Sequence, residues 1–307
     1  MARVTYLFLI MAVMLAAGAV MAQDYSMKAF NTQYQALSDD AALVNLCKDF
    51  ITKTDDIDVA RDIENSLRDI DPDIALAFVR ELSQTNPTST KYKYLYGRLA
   101  TDKLEQIKIG RELIKLDPKF TYGYRLVVAT YSENLFKGVK DAKDAEALKA
   151  ELPKDTGLIT ALINLAPDKD YPLQFLYNYQ MYKSNLPRAL ETLNKAHAAN
   201  LSWPSGFDFA NHYALMGRFD DAKKAVTDEV ALRIEKGGWQ ADQKDEYIAE
   251  YYRGALGAAK AYKPQIDFIL SGMPKDSGSF YNLACLYALS GDRENAFSYL
   301  TKAGDGG

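Results

Sequence analysis

Two cysteines, two histidines and two tryptophans in 307 residues leave little material for cysteine, histidine or metal chemistry. The chain has no GxxxxGK phosphate loop, no CxxC pair and no HExxH helix, so nucleotide hydrolysis, thiol–disulfide exchange and zinc proteolysis lack their usual signatures. His197 and His212 have no cysteine or serine partner at a triad spacing and no further ligands at a metal spacing, which leaves them as packing or surface histidines. Charge of one sign is also missing. With 37 basic against 41 acidic side chains, the surface has no excess of cations to neutralise a phosphate backbone, which argues against nucleic acid as a partner. Past the first 22 residues no stretch reaches the length of a membrane span.

What is present begins with those 22 residues, MARVTYLFLIMAVMLAAGAVMA: one early cation (Arg3), an apolar run from Tyr6 to Leu15, and small residues ending at Ala22. This is the pattern of a secretory signal cleaved after Ala22. No lipid-attachment cysteine follows, since Gln23 and Asp24 come next. The expected mature chain is therefore exported, periplasmic or secreted, without a membrane span. Loss of Arg3 leaves 36 basic and 41 acidic side chains, a net charge near −5. An exported chain could join Cys47 to Cys285, but an elongated helical stack would keep them apart, so two buried free thiols are expected.

The acidic run DDIDVARDIENSLRDIDPD (55–73) could suggest calcium. Counted from Asp69, however, the sixth position is Ile74 and the twelfth Arg80, where a calcium loop needs glycine and glutamate. The run reads instead as a solvated helix face, with Asp55, Asp56 and Asp58 near a helix N-terminus.

The C-terminal stretch YNLACLYALSGDRENAFSYLTKA (281–303) shows two apolar-striped helical patterns separated by Gly291 and Asp292. Ala284 and Ala296 sit where two antiparallel helices would cross most closely, and Gly291 can take the left-handed conformation that ends the first helix. Phe280, Leu283, Ala284, Tyr287, Gly291, Ala296, Leu300 and Ala303 together resemble the tetratricopeptide repeat, a unit of about 34 residues. The frame recurs as Leu173, Leu176, Ser184, Ala189, Leu193 and Ala196, and as Phe209, Ala210, Tyr213, Gly217, Ala222 and Val226. Earlier members are Val59, Ile63, Ala75, Val79, Leu82 and Pro87, then Tyr124, Val127, Val128 and Tyr131 after the LDP turn at 116–118.

The resemblance implies an all-α fold, a right-handed superhelical solenoid of antiparallel helix pairs. On this reading residues 23–54 form an N-terminal helical cap, and 55–303 hold about seven hairpins, with 132–166 and 237–274 degenerate. Residues 304–307 are a tail, and the lack of a polar capping helix after Ala303 suggests a truncated chain. The spacing of Pro87 and Pro118 marks a shortened unit, and Pro264 occupies a place the family gives to a small alanine.

The function implied is a non-enzymatic scaffold that binds a protein or peptide partner in its concave groove, with no cofactor and no metal. The alternative is an accessory region of a larger exported enzyme, for example a thioredoxin-like one. Groove positions of the family carried onto this chain give Lys91, Tyr94, Arg98, Tyr122, Arg125, Gln174, Asn178, Met181, Tyr182, Phe207, Asn211 and Tyr281. These aromatic, amide and basic groups suit an extended, acidic or aromatic segment. The family's carboxylate clamp does not transfer, because Gln174 and Phe207 stand where its lysine would precede Asn178 and Asn211. Arg98 and Arg125 could instead pair with Asp102 and Glu133.

Overall fold

The computed structural model describes residues 24–137, 142–272 and 276–305. The stretch 1–22, where a signal is expected, lies outside them. Among the described residues there are seventeen α-helices and no strand. The chain divides into two compact units, Met1–Val127 and Val128–Gly307.

The first unit opens with α1 (Met27–Gln35) and α2 (Asp40–Lys53), whose Phe30, Cys47, Phe50 and Ile51 are buried together. Burial pushes the Cys47 thiol up to about 11, leaving it a protonated, inert apolar group. Next come α3 (Ile57–Ile70) with α4 (Pro72–Thr85), and α5 (Thr90–Leu99) with α6 (Lys103–Leu116). Aspartates start three of these helices: Asp56, Asp71 and Asp102 each accept two backbone N–H groups of the following turn. The acidic stretch is thus partly a set of helix caps, as its position suggests.

The helix α7 (Thr121–Tyr131) contains the division between the units and runs into a π-helical turn, Ser132–Phe136. Close approach of α6 to α7 is made by a glycine, whereas α4 uses the fully buried Ala75. A Cβ on Gly110 would lie 2.5 Å from Val127 Cγ2 and 3.0 Å from the Gly123 carbonyl oxygen. The valine could rotate away, but the backbone oxygen could not.

The second unit continues with α8 (Ala142–Asp155) and α9 (Leu158–Leu165), the extra polar sequence of 132–166. Four hairpins follow: α10 (Tyr171–Tyr182) with α11 (Leu186–Ala198), α12 (Gly206–Leu215) with α13 (Phe219–Glu235), α14 (Lys244–Ala258) with α15 (Tyr262–Gly272), and α16 (Ser277–Ser290) with α17 (Arg293–Asp305). Ala189 and Ala222 are fully buried, as close crossings require. Gly217 and Gly291 adopt φ of +73° and +85° at the turns between paired helices. Ser184, at the equivalent place between α10 and α11, takes φ +53° at some steric cost.

Two expectations fail here. Cys285 is exposed, because it lies on the side of α16 away from the buried Leu283, Ala284 and Leu286. The helix α17 runs on through Gly304 to Asp305, so the tail does not start at 304.

Candidate functional site

Glu64 is the group that organises the first unit's candidate surface. Together with Ala60, Ile63 and Leu67 it completes the buried stripe of α3, and its exposure is 0%. The acidic run is therefore not a solvated face throughout. Glu64 Oε2 accepts from Arg98 Nη1 on α5, and Oε1 is buried with no hydrogen-bond partner. Arg98 further donates to the Arg61 carbonyl oxygen at 3.3 Å and, through Nη2, to Asn65 Oδ1 at 2.9 Å. Burial pushes the Glu64 carboxyl up to about 7, against the opposing pull of Arg98, Arg68 and Arg61.

Rings close over this pair. Tyr94, on α5, lies 4.9 Å from Tyr122 and 6.3 Å from Phe120, and the Arg98 guanidinium is 5.9 Å from its ring centre. Tyr94 is only 3% exposed, so it supports the face rather than lining an open groove. Burial raises its phenol pKa, with Arg98, Arg125 and Arg61 all near enough to oppose that shift. Burial and a hydrogen bond to the Asp58 carboxylate raise that of Tyr122. The pairing of Arg98 with Asp102 is not what forms. Asp102 caps α6, and Glu133 pairs with Lys137 at 2.7 Å.

Lys91 has a different task from the one its position implied. Its Nζ donates to the carbonyl oxygens of Ile51 at 3.2 Å, Thr52 at 3.5 Å and Thr54 at 2.7 Å, closing the C-terminus of α2. Burial lowers its pKa. Arg125 is half-buried on α7.

The second unit holds the remaining groove positions. Asn178 donates to Ser132 Oγ at 3.0 Å, and Tyr182 packs 5.2 Å from Phe136. Gln174 and Met181 are half-buried on the same helix, Asn211 is exposed on α12, and Tyr281 is 57% exposed on α16. His197 is exposed with its ring 5.7 Å from Phe209, whereas His212 is fully buried.

Phe207 belongs to an aromatic group that the repeat frame missed. Its ring is stacked 4.1 Å from Tyr251 and 6.0 Å from Trp239, and Trp239 lies 5.2 Å from Tyr251 and 4.4 Å from Tyr247. Three of these residues fall in 237–274, where the signature is degenerate. The available signal was Tyr247 and Tyr251, four residues apart on one helix face, with Trp239 shortly before them.

No protein-family model matches the chain, and no curated protein matches it in sequence. Among solved structures, a thermophilic TPR protein of Thermus thermophilus is similar at 20% identity over 60% of this chain and 90% of its own, with a TM-score of 0.41. The Cut9–Hcn1 hetero-tetramer of the APC/C is similar at 14% identity over 93% of this chain and 54% of its own, with a TM-score of 0.45. The hairpins themselves, with Ala189 and Ala222 sealed at helix crossings and left-handed Gly217 and Gly291 at the turns, have the fold of tetratricopeptide-type repeats.

Proposed function

We propose that the chain is an exported, non-enzymatic scaffold that holds an extended acidic or aromatic segment of a protein partner on the first-helix faces of its repeats. The single observation that carries this reading is the cluster on α3, α5 and α7, where Tyr94, Arg98 and Tyr122 meet around Glu64 with Arg125 beside them. Side chains from three successive first helices converge there, and Arg98 is held in place by two carboxylate or amide partners and a carbonyl. A braced guanidinium among tyrosines suits a partner's carboxylate or ring. On this reading Arg98 and Tyr94 are the foundation; Arg125 and Tyr122 of the first unit, and separately Asn178 and Asn211 of the second, are the groups that contact a partner.

Since Arg98 carries structure, the test of binding uses residues outside the brace. Immobilised Arg125→Ala/Asn211→Ala protein should recover about tenfold less partner from an envelope extract than the parent chain. Equal recovery by a variant with unchanged helicity would remove the groove from the account. Export has its own readout. N-terminal sequencing of the native protein should begin at Gln23 or within a few residues of it, and intact Met1 in a cytoplasmic fraction would refute export.

A further inference from the structure

The aromatic group on the second unit has chemistry of its own. Phe207 comes from α12, Arg233 from α13, Trp239 from the connection after it, and Tyr247 and Tyr251 from α14. The planes of Phe207, Tyr251 and Trp239 lie within 11° to 25° of one another. Arg233 stands 4.9 Å from the Phe207 ring centre and 5.2 Å from that of Trp239. The group is open to solvent: Tyr251 is 36% exposed, the Arg233 side chain 41% exposed, and the other three rings are half-buried.

Its polar groups are unequal. Both oxygens of the adjacent Glu229 are taken, one by Arg233 Nε at 2.8 Å and the other by the Gly206 N–H at 2.9 Å. The Tyr247 hydroxyl donates to Gln243 at 2.6 Å. Among the described residues, neither the Trp239 indole N–H nor the Tyr251 hydroxyl has a hydrogen-bond partner. The surface thus offers a part-exposed stack of aromatic rings and hydrogen-bond donors, with its carboxylate already engaged by Arg233 and the Gly206 N–H.

We infer that this platform is a binding site for a proline-rich segment in the polyproline II conformation. Such a segment is the complement of what the site offers. Its pyrrolidine rings pack on the exposed parts of the aromatic stack, its carbonyl oxygens point outward as acceptors, and each proline brings no N–H that would need an acceptor. A preformed extended helix also loses little entropy on docking. A sugar would have to share the Glu229 oxygens with Arg233 and the Gly206 N–H. A quaternary ammonium would face the Arg233 charge over the same rings.

The site deepens the scaffold reading and rests on it, so its test separates the two. Isothermal titration of the full chain with a decaproline peptide should give saturable binding, with none for a Gly-Ser decapeptide. Trp239→Phe keeps a ring but removes the indole donor, and should weaken binding about fivefold. Tyr251→Ala should weaken it about tenfold or more. Absence of decaproline binding, equal binding of the Gly-Ser peptide, or unchanged affinity in both folded variants would overturn the inference. If partner recovery still depends on Arg125 and Asn211 while decaproline does not bind, only the proline-rich site falls. If recovery is also independent of those residues, the scaffold reading falls with it.

Discussion

Arg98→Ala should cost about 3–5 kcal/mol of unfolding free energy, measured by urea denaturation followed by circular dichroism. The reason is not the loss of a favourable ion pair, whose Coulomb gain is largely offset by desolvation. Truncation leaves Glu64 fully buried on α3 with Oε1 already lacking a partner and Oε2 newly deprived of one. Replacing both groups by apolar ones of similar size, Glu64→Leu with Arg98→Met, should recover most of the loss. The penalty should also depend on pH. In the fold the Glu64 carboxyl is raised from 4.5 to about 7, so the folded chain holds this proton more tightly than the unfolded chain does. Its contribution to stability is therefore fully present below about pH 4.5 and is lost as pH rises through 7. Without Arg98 the carboxyl has more reason to stay protonated, so the variant should be least impaired in acid. A loss under about 1 kcal/mol at pH 8 would show that the pair does not brace α3 against α5.

His212→Ala should destabilise the second unit by about 2–4 kcal/mol. The ring is fully buried between successive first helices, with Nε2 2.9 Å from the Leu186 carbonyl oxygen and Nδ1 3.3 Å from the Tyr177 hydroxyl. The carbonyl can only accept, so Nε2 carries the proton and Nδ1 is free to take the tyrosine's hydrogen. Burial pushes the Tyr177 phenol up to about 12, which keeps that proton in place. One neutral tautomer thus ties α10 and α12 to the start of α11. Burial lowers the His212 pKa below its ordinary 6.5. Below pH 6.5 the unfolded chain takes up the proton first, so this group's contribution is fully present above 6.5 and declines as pH falls. That trend opposes the Glu64 trend in the same window, and only the difference between parent and variant isolates it. Trp203 is 5.7 Å from Tyr177, and Trp203 and Trp239 are both in the second unit, so tryptophan fluorescence follows the relevant transition. The stability gap between parent and His212→Ala should narrow from pH 7.5 to 5. A constant gap would mean that the imidazole's protonation is not coupled to folding.

The hairpin periodicity was legible because it is local. Ala189, Ala222, Gly217 and Gly291 are each fixed by the space and backbone conformation of one helical turn, and these constraints act on residue type at fixed spacing. Helix starts were equally readable, since Asp56 caps the helix that immediately follows it. The candidate site was legible only in part. A repeat frame places Arg98, Arg125 and Phe207 on first helices, but it does not say which of them will be consumed by packing.

That choice belongs to contacts between elements distant in sequence. Glu64 and Arg98 are 34 residues apart, and each looks like an ordinary surface charge until α3 and α5 are packed together. Lys91 reads as a groove cation until α2 presents three carbonyl oxygens to it. Trp239 and Tyr251 lie in a segment without a repeat signature, so only the folding of α14 against α12 and α13 reveals a platform. The sequence by itself determined the helices, their pairing into hairpins and the small residues at their crossings, because those follow from period and size. The tertiary structure decided which charges are buried and which rings stand together, because desolvation and stacking are set by neighbours that the chain's order does not name.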